Sequence, residues 1–203
     1  MSIQHDDRKT GNQAVPVQRS TEPAVEPKFL ATPTTAFGKS LAVLRVTTGF
    51  VFLWAFVDKL FGLGYATPSK GAWLNGGSPT KGFLSSVHVG PFESLFHAWA
   101  GTWWADTLFM LGLAGVGIAV IAGVGLRLSA LAGGLMMLMM WAAEWPLALS
   151  TSTGEATHST NPLIDYHIIF GLALIVFAAA SAGDTWGLGR RWATLTGKRR
   201  WLR

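Results

Sequence analysis

The stretch Leu41–Phe61, LAVLRVTTGFVFLWAFVDKLF, carries a single charge, Arg45, before the pair Asp58-Lys59 close to its end. A helix of about 20 apolar residues spans a hydrocarbon core, so this segment reads as a membrane crossing. Three more stretches follow, Leu108–Val124, Ala130–Trp145 and Ile164–Ala182, with Ala130–Trp145 short for a crossing. The predicted fold is an all-α membrane protein, a four-transmembrane-helix bundle. Successive crossings run in opposite directions. The end of the first, the start of the second, the end of the third and the start of the fourth therefore meet at one end of the bundle. Those places hold Asp58 with Lys59, Asp106, Glu144, and Asp165 with His167. Ionisable side chains within spans are costly and turn toward the bundle interior or a wet cavity, so their gathering at one depth marks a candidate site.

Composition agrees with this class: of 203 residues half are hydrophobic and only 13% are charged, far from a soluble domain. The chain has no cysteine, which excludes thiol–disulfide exchange, Cys-ligated zinc and iron–sulfur chemistry by this chain alone. A pI near 9.9 raises nucleic-acid binding, but the basic residues are distributed by topology. Arg190, Arg191, Lys198, Arg199, Arg200 and Arg203 follow the last span, Arg127 lies in the turn between the second and third, and Lys28, Lys39 and Arg45 lead into the first. Between the third and fourth the only charge is Glu155. The positive-inside rule then makes this a multi-pass protein of the cell membrane with both termini cytoplasmic and the acidic end outward. The basic tail meets the membrane surface, and no nucleic-acid partner is expected. Trp54, Trp73, Trp99, Trp103, Trp104, Trp141 and Trp145 fall at or beyond the outer ends, as an interfacial aromatic belt does. The domain layout expected is a disordered cytoplasmic tail over 1–37, the membrane domain over 38–189, and a basic cytoplasmic tail over 190–203.

The connection Gly62–Thr107 is long for an idle loop. Its first part is rich in turn formers. Beyond Pro91 the residues Phe92, Leu95, Phe96, Trp99 and Trp103 fall on one helical stripe and predict a helix lying in the outer interface. Together the two parts would form a lid over the acidic end. In the second span Gly115, Ala119 and Gly123 recur every fourth residue, a spacing that permits close helix contact. Met136, Met137, Met139 and Met140 read as core and lipid contacts, not metal ligands. Trp145-Pro146 ends the third span, because the residue before a proline is pushed out of the helical region. Asn161 as a cap and Pro162 in the first turn would start the fourth, with free N–H groups favouring an anion there.

Trp54 and Asp58 stand four apart, and Trp141 and Glu144 three apart, so each pair shares a helix face. An aromatic wall below a carboxylate, repeated on two helices, suits a flat amphipathic ring such as a quinone. Quinone chemistry moves protons at the ring oxygens, which makes Asp58, Glu144, Asp165 and His167 the candidate catalytic groups. Trp54, Lys59, Asp106, Trp141 and Asn161 are the candidate binding groups. Asp165 and His167, two apart, would differ by about 200° around a helix, so one faces inward and the other a neighbouring span or the lid. Lys59 has a structural alternative, pairing with Asp58, Glu144 or Asp165 to tie spans together. Arg45 reads as snorkelling to the headgroups, or else as a fixed cation for a buried acid or an anionic lipid. His88, His97 and His158 read as surface residues of the outer loops. His167 is the one histidine inside a predicted span, so bis-histidine haem is not expected, nor is a metal.

Four runs in order carry a family resemblance: Gly77–Leu84 (GSPTKGFL), Asp106–Leu113 (DTLFMLGL), Leu138–Pro146 (LMMWAAEWP) and Asn161–Ile169 (NPLIDYHII). They resemble the DoxX superfamily, closest to its DoxD branch, over residues 38 to 189. The resemblance implies a four-helix membrane bundle acting as the membrane subunit of a thiosulfate:quinone oxidoreductase, paired with a smaller second subunit. Such an enzyme oxidises thiosulfate to tetrathionate at the outer face and passes electrons to the quinone pool. Other DoxX-like proteins imply a different role, a non-catalytic membrane anchor or scaffold in a redox or respiratory complex. Expected partners are therefore the lipid bilayer, a quinone and a second protein subunit, with self-association open. A transporter fits less well, since one copy of four spans shows no inverted repeat.

Overall fold

The computed structural model describes residues 36–197, together with 199 and 201. The tail expected over 1–37 lies outside the described residues except for Ala36 and Phe37, which begin the first helix. The elements are α1 (Ala36–Phe61), two 3-10 turns (Ser69–Gly71 and Trp73–Asn75), α2 (Lys81–Ser85), α3 (Glu93–Trp99), α4 (Trp103–Ala122), α5 (Leu126–Glu144), α6 (Tyr166–Ala179), a further 3-10 turn (Ala182–Asp184) and α7 (Gly189–Thr196). Among the described residues there is no strand, only an isolated bridge between Ser150 and Ala156.

Among the described residues three helices, α1, α4 and α5, are long and apolar enough to cross a membrane, at 26, 20 and 19 residues. The fourth, α6, has 14 residues, a rise of about 21 Å, and falls short of the crossing expected over 164–182. Both of its ends are taken by other structure. Asp165 holds an extended backbone and caps the helix, its Oδ1 accepting the N–H of Ile168 at 3.1 Å. At the other end Ser181 adopts φ 48° and turns the chain into the 3-10 segment. The start expected at Asn161 is corrected accordingly: Asn161 Oδ1 accepts the N–H groups of Leu163 and Ile164, both at 2.9 Å, and closes a turn ahead of the helix.

The bundle packs α1 on α4, α4 on α5 and α5 on α6. Its core joins Phe52 of α1, Leu113, Val116 and Val120 of α4, Leu126 and Met137 of α5, and Leu174 and Phe177 of α6. The outward positions are as apolar as the inward ones: Leu108, Leu111 and Ile118, Leu131 and Leu135, Ile169, Leu172 and Ile175 are all exposed. Water does not sustain such a surface over three helices, whereas lipid does. Met137 is buried, Met136 and Met140 pack against the core and Met139 is exposed, the division expected of core and lipid contacts.

Close packing of α1 on α4 uses different glycines from the predicted stripe. A Cβ on Gly117 would sit 2.7 Å from the Leu53 nitrogen, and one on Gly49 would sit 2.9 Å from the Ile121 nitrogen. Gly115 faces open space, and Gly123 is the left-handed residue that ends α4 at φ 72°. A four-residue spacing on one helix does not say which face meets the neighbour.

Arg45 does not snorkel. It is fully buried, and its guanidinium donates to the carbonyls of Val120 and Ile121 at the end of α4 and of Thr185 and Trp186 beyond α6. The carbonyls of Val120 and Ile121 lie in the last turn of α4, where helical i+4 donors run out, and the guanidinium from α1 supplies donors to both. The chain then runs into α7, so part of the basic tail expected over 190–203 is helical.

Candidate functional site

Asp58, Asp106, Glu144 and Asp165 lie at one end of the bundle, as the antiparallel order requires, but they divide into two groups. The long connection between α1 and α4 is fastened by the first two. Asp58, 2% exposed, accepts the backbone N–H groups of Tyr65 at 3.3 Å and Ala66 at 3.0 Å. Asp106 sits in the first turn of α4, and its Oδ1 takes three bonds: from the Ser78 hydroxyl (2.9 Å), the Thr80 N–H (2.9 Å) and the Thr80 hydroxyl (2.6 Å). Asp106 thus replaces water for the donors of buried Thr80, while Asp58 ties down the N–H groups of an exposed turn. Trp54 stacks on Phe50 and meets Tyr65 edge-on, so it too serves the loop. Lys59 is half-buried, and none of the ion pairs among the described residues involves it.

The second group is a connected cluster at the junction of α5 and α6. Glu144 is the last residue of α5 and Tyr166 the first of α6, and the Tyr166 hydroxyl donates to Glu144 Oε1 at 2.9 Å. His167 is 1% exposed; its Nδ1 lies 2.9 Å from Asp165 Oδ2 and 3.8 Å from Glu144 Oε2. Its Nε2 is buried without a hydrogen-bond partner. The rotation argument that separated Asp165 from His167 fails because Asp165 lies outside the helix. Its carboxylate reaches the Ile168 N–H with one oxygen and the imidazole with the other. Tyr166 is the member that the sequence reading passed over; its place between Asp165 and His167 in the run NPLIDYHII was the available signal.

One hollow borders the cluster and a second is walled in part by the last turns of α5. A cleft of about 510 Å³ is bordered by Glu144, Asp165, Tyr166 and Asn161 on one side and by Phe83, Val87 and His88 on the other. An apolar groove of about 380 Å³ runs beside it, walled by Trp99, Leu138, Trp141 and Trp145 with Phe92 and Leu95. Trp141 also donates its indole N–H to the Leu163 carbonyl at 3.0 Å, which fixes the ring in the groove wall. The floor between them is a small second core of Val87, Phe96 and Ala143, which seats the connection on α5. The expected lid is therefore present as a folded cap, with a helix at Glu93–Trp99 that is shorter than the stripe through Trp103 suggested, since Trp103 opens α4.

Of the nine predicted site residues, Glu144, Asp165 and Asn161 border the cleft, His167 lies against Glu144 and Asp165, and Trp141 lines the groove. Asp58, Lys59, Asp106 and Trp54 border neither. Among the described residues, two groups of side chains bring three potential ligand atoms within 4.8 Å of one another, Glu144 with Asp165 and His167, and His88 with Glu93 and His97.

Residues 40–145 match the family model described as DoxX, a membrane family; the match takes in Asp58, Asp106 and Glu144 and stops before Asp165 and His167. No curated protein and no solved structure matches the chain. With just over half its length inside that match and three apolar helices of membrane-crossing length, this chain belongs to the DoxX family.

Proposed function

We propose that the chain is the membrane subunit of a quinone-linked oxidoreductase, with Glu144, Asp165, Tyr166 and His167 as its proton-handling site. One observation carries the reading: a buried imidazole held by Asp165 at Nδ1, with Nε2 left without a partner. Bonded to a carboxylate, Nδ1 bears the proton, and the neutral ring keeps its lone pair at Nε2. A carboxylate that orients an imidazole whose other nitrogen exchanges a proton is an arrangement acid–base catalysis uses on unrelated folds. Reduction of a quinone takes two electrons and two protons at the ring oxygens. The Nε2 lone pair would first take up a proton from water and then pass it to a ring oxygen, while the Glu144 carboxyl, bordering the cleft, would donate the second proton. The groove beside Trp141 suits the apolar body of such a ring.

The DoxD-like motifs favour thiosulfate as donor: two thiosulfate ions give one tetrathionate and two electrons, which with two protons turn one quinone into quinol. A second protein subunit supplies the sulfur half of the reaction. The acidic end faces outward and both termini are cytoplasmic, following the placement of Arg127, Arg190 and Arg191. A second reading, a non-catalytic scaffold, is favoured by the use of Asp58 and Asp106 to build a fixed platform from the connection.

Extraction of quinone from detergent-purified protein, with turnover of Glu144→Gln and Asp165→Asn in membranes, tests the proposal. Bound quinone and inactive but folded variants agree with it. A quinone-free preparation whose variants keep full turnover leaves the scaffold.

A further inference from the structure

A second convergence of ligating side chains lies apart from the Glu144 cluster, on the capping connection. His88 precedes α3, Glu93 is its first residue and His97 stands four residues later on the same face. We propose that His88, Glu93 and His97 form a binding site for a divalent first-row cation, with zinc as the preferred ion. Two imidazoles and one carboxylate are a donor set that zinc takes in three-ligand sites, leaving a fourth position for water or a solute.

The spacing of the three side chains leaves room for a shared cation. His88 Nδ1 stands 3.6 Å from Glu93 Oε1, too long for a hydrogen bond. Two ligands on one tetrahedral zinc, with bonds of about 2.0–2.1 Å, lie about 3.3 Å apart. The three ligand atoms are within 4.8 Å of one another, so closure asks for side-chain movement of up to about 1.5 Å. The His88 and His97 rings meet edge to face at 5.6 Å, converging without stacking.

The surroundings orient these donors as a metal site requires. His97 Nε2 lies 2.7 Å from the Val87 carbonyl and must donate to it, which fixes the tautomer and leaves the Nδ1 lone pair free. The Ser152 hydroxyl donates to Glu93 Oε1 at 3.1 Å, and the Ser152 N–H holds the His88 carbonyl at 2.6 Å. Both ligand types therefore have the outer partners that raise basicity and hold orientation. His88 also borders the 510 Å³ cleft opposite Glu144 and Asp165, so the cation would sit at the cleft's rim. Each residue alone reads as a surface side chain; the site exists only because the turn at 88 folds back on α3.

The test is titration of the full-length, tag-free protein in mild detergent with zinc chloride, against a chromophoric chelator. One zinc per chain is expected. Affinity should fall by more than about 100-fold in His88→Ala, His97→Ala and the isosteric Glu93→Gln, and by about 10-fold in Ser152→Ala, which removes only an outer partner. His158→Ala, exposed and outside the cluster, should bind as wild type. Zinc should raise the unfolding temperature of wild type and not of Glu93→Gln, which separates a lost site from a lost fold. Absence of stoichiometric zinc, or binding that survives all three ligand variants, overturns the site. Binding abolished by His167→Gln and not by His88→Ala assigns the ion to the other cluster and overturns it equally. None of these outcomes depends on quinone.

Discussion

His167 Nδ1 and Asp165 Oδ2 stand 2.9 Å apart across a helix boundary: the histidine is in the first turn of α6 and the aspartate is its cap. One carboxylate therefore holds the helix start and the imidazole together. Stability and proton chemistry are coupled at that residue, and substitutions can separate them.

Asp165→Asn retains an acceptor for the Ile168 N–H, and asparagine caps as well as aspartate, so the folded state should lose little. The carboxylate that orients the His167 ring is gone, and quinone turnover should fall with it. Asp165→Ala loses the cap as well, at a further cost of about 1 kcal/mol. Thermal unfolding in detergent alongside turnover in membranes checks both. Equal unfolding temperatures for the Asn and Ala variants would show that the cap contributes nothing.

Asp106 should behave in the opposite sense. Its Oδ1 accepts three donors from Ser78 and Thr80, and Thr80 Oγ1 in turn accepts the Gly101 N–H at 3.2 Å. Asp106→Ala strands these groups and should cost about 1–3 kcal/mol, with faster amide exchange at Thr80 and Gly101. Asp106→Asn keeps an acceptor in place and should keep quinone turnover, unlike Glu144→Gln. Loss of turnover in a stable Asp106→Asn protein would place this carboxylate in the proton chemistry.

The helix contact gives a paired prediction. Gly117→Ala puts a Cβ 2.7 Å from the Leu53 backbone nitrogen, which cannot move as a side chain can. Overpacking of this kind costs about 1–3 kcal/mol. Gly115→Ala meets nothing within 4 Å and should be neutral or slightly stabilising. Unfolding midpoints of the two variants, measured in one detergent, decide the point; equal destabilisation would contradict the packing of α1 on α4 at Gly117.

What could be read in the sequence was what is local or periodic. The helices α1, α4 and α5 follow from apolar runs, and the end of α5 from Trp145-Pro146. Meeting of the acidic residues at one end follows from chain direction alone. What stayed hidden depends on distant partners. Nothing near Asp106 announces Ser78 and Thr80, and nothing near Arg45 announces carbonyls at 120, 121, 185 and 186. The start of α6 was misplaced for a different reason: Asn161 and Asp165 are both good caps four residues apart, and the first closes a turn while the second caps the helix. The pair Glu93 and His97 was legible as a four-residue spacing on a predicted helix. His88, which completes the group, joins it only through the fold-back of the turn.

The most direct test of the account is titration of the detergent-purified protein with a short-chain quinone, followed by tryptophan fluorescence, in wild type and His167→Gln. Saturable quenching in wild type, through Trp141 and Trp145 beside the groove, with at least about tenfold weaker binding in the folded variant, is the predicted result. Absence of saturable binding in wild type, or the same affinity in both proteins, would contradict it.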